Sequence, residues 1–491
     1  MGAHSATTVA EGIAFMNIID GKRVDAVSGE RIDVVCPSDG KPFATIPASG
    51  ETDVDRAVAA ARRAFDQGPW SRMPAVERGR LLTRLFHLVE QNGDELAAME
   101  SRDTGKPVRQ GKADVTATMR YYEFYGGAGD KIHGDTIPFL DGYTALTLRE
   151  PHGVVAGIIP WNYPLQIMAR VAGAALAMGN TLVIKPAEDA SMTAIRIAEL
   201  ALEAGFPEGV FNVVTGYGHT AGAALSGHPG VDYVTFTGST LTGTRIQQAA
   251  AVNNRGVTME LGGKSPQIVF ADANLEAALP VLVNAIIQNG GQTCSAGSRI
   301  LIEKPVYEQV AAALAARFAA LVAGPHEADL DLGPMINARQ RDRVAGFIAA
   351  AEEAGVPVLA RGTVSPDAPA GGYYTAPALF GTVDPHAAVA QEEVFGPVLS
   401  LFAFDGEEEA IRLANSTEYG LVAGVWTADG GRQHRVAKRV RAGQVFVNGY
   451  GAGGGIELPF GGFKKSGHGR EKGFEALYDM SATKTIVFNH G

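Results

Sequence analysis

Cys294 stands in the segment GGQTCSAGS, and its neighbours Gly290, Gly291, Gln292, Thr293 and Ser295 are all small or polar. Such surroundings let a substrate and backbone N–H groups approach a sulfur, whereas an inert core thiol has bulky apolar neighbours. A free thiol has a pKa of about 8.5, so nucleophilic work at neutral pH requires a base or a positive field beside it. Glu260 is the candidate base: it ends an apolar run and is followed at once by LGGKSP. That order places its carboxylate at the C-terminal edge of a parallel sheet, where α/β proteins build their sites, among Met259, Leu261 and glycines that raise a carboxyl pKa toward neutrality. A structural thiol and a solvated strand-end glutamate are the ordinary alternatives for these two residues. Gly238 and Ser239, in FTGSTLTG, lie between a strand and a helix, where unpaired backbone N–H groups bind phosphate. GSTLTG is not GxGxxG, so this signal is weak alone. Lys185, in VIKPAED, ends another strand and with Glu188 could bracket a nucleotide ribose; an exposed lysine before proline is equally common. Cys36, between Val35 and Pro37, reads as structural.

The elements that must position these groups are legible from periodicity. Residues 15–49 alternate short apolar runs with turn signals and suggest a small antiparallel unit. Helical periodicity follows over 54–125, with Thr52 and Asp53 as capping signals, and residues 130–149 turn extended again. An isolated strand pair there has little to pack on nearby, which points to contact with another subunit. From 153 to 260, strands at 154–159, 181–185, 211–214, 233–236 and one ending at Glu260 alternate with helices at 165–178, at 192–204 and from 241. This is the pattern of a parallel, doubly wound sheet. A second α/β lobe follows over 264–470, with QIVF, RILI, PVLSLF, LVAGVW and QVFVN as strands. No fixed-period repeat, low-complexity run or long linker separates the lobes.

The 491-residue chain carries 42 Lys and Arg against 53 Asp and Glu, a net charge of −11 that argues against nucleic-acid binding by bulk electrostatics. The stretch 171–184 is too short to span a bilayer, and 277–298 holds Asn284, Gln288, Asn289 and Gln292, costly in lipid, so no membrane partner is expected. The first residues lack the apolar core of a signal peptide, and two cysteines in so long a chain fit a reducing cytoplasm. Eleven scattered histidines show no ligand spacing, so no metal is expected.

Taken together, PWNYPL (160–165), IKPAE (184–188), FTGST (236–240), MELGGKSP (259–266), GQTC (291–294), EEVFGPV (392–398) and PFGGFKKSGHGRE (459–471) resemble the NAD(P)-dependent aldehyde dehydrogenase superfamily, in its order and spacing, from about Ile18 to Val487. The resemblance implies an α/β fold with a Rossmann-like NAD-binding domain (1–129 and 152–261), an α/β catalytic domain (262–476) and a small β oligomerisation extension (130–151 and 477–491). A homodimer or homotetramer is implied with it. By the same resemblance Cys294 attacks an aldehyde to give a thiohemiacetal and then a thioester, Asn162 stabilises the oxyanion with the Cys294 N–H, and Glu260 is the general base. NAD would contact Pro160, Trp161, Lys185, Glu188, Gly238, Ser239, Gly243, Leu261, Glu393 and Phe395. Tyr163, Arg170, Ser295 and Phe460 would meet the substrate. Glu188 favours NAD over NADP, because a 2′-phosphate beside a carboxylate suffers like-charge repulsion.

Two positions depart from common patterns of the family. Arg170 stands where members acting on neutral aldehydes often carry tryptophan and those acting on dicarboxylic semialdehydes often carry arginine. This suggests an acidic semialdehyde held by a guanidinium, against a neutral aliphatic, aromatic or amino-aldehyde. An arginine paired with a structural acid is the competing reading, and Gln288 stands where some succinate-semialdehyde enzymes place a second arginine. Val171 replaces a lysine linked to proton exit toward the glutamate that Glu471 matches, so any relay there would run through backbone and water. The segment 449–457, GYGAGGGIE, reads as a roomy or mobile tunnel wall. An acyl transfer to coenzyme A, a redox-free thioester hydrolase and a non-catalytic cofactor-binding protein are the rival functions; the joint presence of Asn162, Glu260 and Cys294 disfavours the last.

Overall fold

A computed structural model describes residues 12–451 and 455–491. The N-terminal segment read for a signal peptide thus lies almost wholly outside the described residues, as do three positions of the glycine-rich wall, 452–454.

Five parallel strands form the centre of an eight-stranded sheet, in the order Gly256–Glu260, Tyr233–Thr237, Val154–Ile159, Thr181–Pro186, Phe211–Val213. Every residue of Val154–Ile159, Thr181–Pro186 and Tyr233–Thr237 is buried, as expected of strands covered on both faces. Helix Pro164–Ala177 is buried at all positions but one, because it lies between this sheet and an outer helical layer. The tyrosine ring of Tyr125 packs so close that a Cβ at Gly173 would sit 2.5 Å from it. Pairing of Glu260 with Thr237 and of Pro186 with Ile159 puts Glu260, Lys185 and the 160–163 turn along one sheet edge.

The sheet's margins differ from the sequence reading. Residues 15–49 do not make one antiparallel unit. Hairpin Asn17–Ile19/Lys22–Val24 extends the large sheet, antiparallel to Phe211–Val213, whereas Ile13–Ala14 and Arg31–Cys36 flank Lys41–Pro47 in a separate three-stranded sheet. Buried Asn17 ties the hairpin to the larger sheet, its side-chain oxygen accepting from the Thr215 N–H at 2.8 Å, while its amide donates at 2.8 Å to Ser49 Oγ, just beyond Lys41–Pro47 of the small sheet. At the opposite margin Gly467–His468 pairs antiparallel with Met259 and Glu260.

The second sheet has seven strands, in the order Val358–Arg361, Ala378–Phe380, Val398–Phe404, Arg299–Glu303, Pro266–Val269, Val422–Trp426, Gln444–Val447; the first of these is antiparallel to its neighbour. Cys294 lies between helix Leu275–Ile287 and strand Arg299–Glu303. A third sheet pairs Ser481–Asn489 along its whole length with Tyr143–Pro151, and Thr136–Ile137 forms its edge. Phe139, Leu140, Val487 and Phe488 are exposed around it. No helix among the described residues is long and apolar enough to cross a membrane.

A buried ion cluster joins the outer helices to the site. Lys106 donates to Glu100 at 3.1 Å, to Asp114, and to the backbone oxygen of Asn162 at 3.0 Å. Burial disfavours its ammonium, but Asp114 and Glu100 outweigh that and raise its pKa. Removing one member of a buried pair strands the others, so Lys106→Met should destabilise the fold by roughly 3–5 kcal/mol in equilibrium denaturation. A loss below about 1 kcal/mol would show the two acids to be protonated without the lysine.

Candidate active site

Cys294 opens onto a cavity of about 780 Å³ whose wall includes Asn162, Tyr163, Arg170, Ser295, Phe460 and Lys472. The thiol's placement follows from an unusual backbone path. Asn289, Gly290 and Gly291 have φ of 51°, 62° and 74°, three successive left-handed residues that end the preceding helix and turn the chain back. A Cβ at Gly263 would strike the Cys294 carbonyl oxygen, so only glycine lets the loop settle against the edge of the second sheet. Gln292 pins the turn, accepting from Ile336 N at 2.9 Å and donating to the Asn289 carbonyl at 3.0 Å.

Asn162 is held from three sides. Its backbone oxygen accepts from Lys106 and, at 2.8 Å, from the Asn289 side chain, while its own Nδ2 donates to the Gln292 carbonyl at 2.9 Å. The second Nδ2 hydrogen remains for a developing oxyanion. Tyr163 lies under the Lys106 ammonium, 4.4 Å from its ring centroid, and its hydroxyl meets Thr293 Oγ1 at 2.9 Å.

Glu260 is buried at its strand end, but its carboxylate lies outside the cavity wall, against Gly461, where a Cβ would be 2.7 Å from Oε1. Neither carboxylate oxygen has a hydrogen-bond partner. Burial, reinforced by Glu471, pushes its pKa well above the usual carboxylate range. Burial likewise pushes Cys294 up to about 12, against the pull of Arg170. Burial thus shifts both groups toward their neutral forms.

Arg170 is buried in the cavity wall with its Nε in ion-pair contact with Glu471 Oε2, without hydrogen-bond alignment, and its Nη2 donates to Thr237 Oγ1 at 3.4 Å. Glu471 also accepts from Thr235 at 3.0 Å. The carboxylate left without a lysine at Val171 thus takes its cation from the preceding residue, across the helix.

The residues read as nucleotide contacts lie on the neighbouring edges. Lys185 Nζ donates to Glu188 Oε2 at 3.0 Å. Ser239 caps helix Thr240–Ala251 by accepting from Thr242 N, and Gly238 N donates to the Glu260 carbonyl at 3.0 Å. Gly243 faces Leu261, where a Cβ would be 2.5 Å from the leucine side chain. Glu393 accepts from Gly263 N at 2.9 Å, and burial raises its carboxyl to about 7. Phe395, at φ 59°, meets Trp161 edge to face at 5.3 Å beside Pro160. Among the described residues no cluster of His, Cys, Asp and Glu could hold a metal.

Residues 24–486 match the model of the aldehyde dehydrogenase family. The chain belongs to that family. It is accordingly an oxidoreductase acting on aldehydes, with the family's α/β architecture. A crystal structure from Burkholderia cenocepacia, provisionally assigned as an aldehyde dehydrogenase, is 60% identical and superposes with a TM-score of 0.96, covering 97% of this chain and 100% of that one. The NAD+ complex of the Bacillus cereus aldehyde dehydrogenase is 40% identical, with a TM-score of 0.95 and 97% of each chain covered. The Escherichia coli NADP/NAD-dependent aldehyde dehydrogenase PuuC is 41% identical over 95% of this chain and 94% of its own.

Sequence reasoning passed over Lys106, Asn289 and Lys472. Lys106 carries no sequence signal, since its acids are six and eight residues away and its third partner 56. Lys472 had one: a cation directly after Glu471 and before Gly473, at the end of the last motif.

Because the thiol is held protonated, alkylation of Cys294 by iodoacetamide should climb about tenfold per pH unit from pH 7 to 9.5, followed by peptide mass spectrometry. A plateau within that range would mean a thiolate already present at neutral pH.

Proposed function

We propose that this family member oxidises an aldehyde bearing an acidic tail to the acid, with NAD as hydride acceptor and Cys294 as nucleophile. The observation that carries the reading is the thiol at a cavity wall shared with the Asn162 amide. The Cys294 sulfur bonds the carbonyl carbon while its proton passes to Glu260, once that carboxyl has been deprotonated and has swung from Gly461 toward the sulfur. The oxyanion of the thiohemiacetal accepts from Asn162 Nδ2 and the Cys294 N–H, a pair of preorganised donors. NAD, when bound, supplies the two-electron acceptor, and loss of hydride from carbon leaves a thioester on Cys294. Glu260 gives up the thiol proton to solvent and then takes one from water, whose oxygen attacks the thioester carbon; as the carboxylic acid leaves, the sulfur receives that proton back from Glu260 and departs as thiol.

The residues present suit a dinucleotide. Ser239 caps a helix whose first N–H groups face outward, Lys185 and Glu188 offer a donor and an acceptor at a strand end, and Gly262 leaves room for the Glu393 carboxylate, which a Cβ there would displace. Burial alone would raise Glu188, but Lys185 holds it below the usual range, so it stays anionic and repels a 2′-phosphate. The domain division at 129/152, 261 and 476 and pairing of the 130–151 and 477–491 extension between subunits of a dimer or tetramer belong to the same proposal; the exposed Phe139, Leu140, Val487 and Phe488 support it.

Formation of reduced nicotinamide, read by absorbance, should vanish in Cys294→Ala and fall roughly 100- to 1,000-fold in Asn162→Ala. Activity surviving in Cys294→Ala would end the covalent reading. Glu188→Ala should raise kcat/KM with NADP relative to NAD; an unchanged ratio would remove Glu188 as the discriminator.

A further inference from the structure

We propose that Tyr450 is a positioning residue of the reaction: its hydroxyl holds the Ser295 carbonyl and so fixes the turn that carries the Cys294 sulfur. The proposal rests on the reading of Cys294 as the nucleophile and ties that nucleophile to the wall of the substrate cavity.

The tether starts at the edge of the second sheet, where strand Gln444–Val447 pairs with Val422–Trp426. At the strand's exit Asn448 takes φ 51°, a left-handed conformation that asparagine tolerates better than most residues. It is clamped there. Its N–H donates to the Val425 carbonyl at 2.8 Å, its side-chain amide donates to the Thr427 carbonyl at 3.0 Å, and its side-chain oxygen accepts from Thr427 N at 3.0 Å. Two residues on, Tyr450 lies half-buried in the cavity wall, and its hydroxyl donates to the Ser295 carbonyl at 2.5 Å. The ring meets that of Phe446 at 5.7 Å and packs on the apolar cluster that also receives Cys294. Burial pushes the phenol pKa up, so the hydroxyl stays a donor at neutral pH.

The carbonyls flanking the sulfur are held from both sides. Before it, the Gln292 carbonyl accepts from Asn162 Nδ2 at 2.9 Å, and the Thr293 carbonyl accepts from Ala296 N at 3.0 Å, closing a tight turn over Cys294 and Ser295. After it, the Ser295 carbonyl is held by Tyr450. The thiol thus hangs between two side-chain donors, Asn162 beyond a strand of the first sheet and Tyr450 beyond a strand of the second. Without the hydroxyl the Ser295 carbonyl loses this partner and the turn loosens, which shifts the Cys294 sulfur and N–H relative to Asn162. A misplacement of about 1 Å costs roughly 100-fold in rate. One neutral hydrogen bond is worth about a factor of ten in the population of the fixed turn, and that smaller factor sets the expected loss.

The test uses Tyr450→Phe and Tyr450→Leu in the whole enzyme. In Tyr450→Phe, kcat should fall about tenfold while KM for the aldehyde stays within about twofold, because the ring and the wall it forms remain. Tyr450→Leu, which removes the ring as well, should add a rise in KM. Hydrogen–deuterium exchange, read by mass spectrometry without aldehyde or NAD, should quicken in peptides spanning residues 289–298 of Tyr450→Phe and nowhere else. A preserved kcat in Tyr450→Phe, a loss confined to KM, or exchange that is unchanged at 289–298 or quickened throughout the chain would each overturn the assignment. Exchange needs no turnover, so it separates this idea from the catalytic reading. A wild type that oxidises no aldehyde, with a loop that loosens in Tyr450→Phe, would sink the covalent mechanism and support the tether.

Discussion

Where the two large sheets meet, backbone touches backbone. Gly263 lies three residues after strand Gly256–Glu260 of the first sheet, and the missing side chain admits the carbonyl of Cys294 from the loop that feeds the second. Gly291, three residues before the thiol, is packed in the same way against Gly396 and Pro397. The position of the thiol depends on this approach. The thiol has a defined position because Gly263 and Gly291 lack a Cβ and the left-handed run at 289–291 bends the chain into the contact. A loop held this way does not need the sulfur itself to bond anything, which leaves it available to a substrate.

Burial then sets the electrostatics. A carboxyl with no hydrogen-bond partner and a thiol among aromatic rings both favour their neutral forms, while the Lys106 cluster and the Arg170–Glu471 pair hold charges together beside them. Partly desolvated ions interact over longer distances than they would in water.

Much of this was legible beforehand because it is written in local pattern. The buried runs at 154–159, 181–186 and 233–237 read as parallel strands, and a glutamate ending a strand reads as a residue at a sheet edge. The motifs around Asn162, Glu260 and Cys294 carried the family. What escaped depended on long-range partners. Asn17 decides which sheet its hairpin joins through Thr215, nearly 200 residues on, and Arg170 has its meaning settled by Glu471 on a distant segment. A helix position alone cannot show whether a guanidinium faces a ligand or an internal acid. Glu260 was placed at the right edge by its strand, but only the room at Gly461 reveals that its side chain rests away from the cavity.

The strand Gly467–His468 closes the first sheet against Glu260, and Ser481–Asn489 covers Tyr143–Pro151 along its full length. Both segments emerge from the ribosome long after the strands they pair with. The nucleotide-facing half can begin to fold while translation continues, but the pocket acquires its Phe460 wall only once that later stretch has been made. Until then the Tyr143–Pro151 ribbon waits with an open edge, a natural point for chaperone capture or for exchange of tails between nascent neighbours.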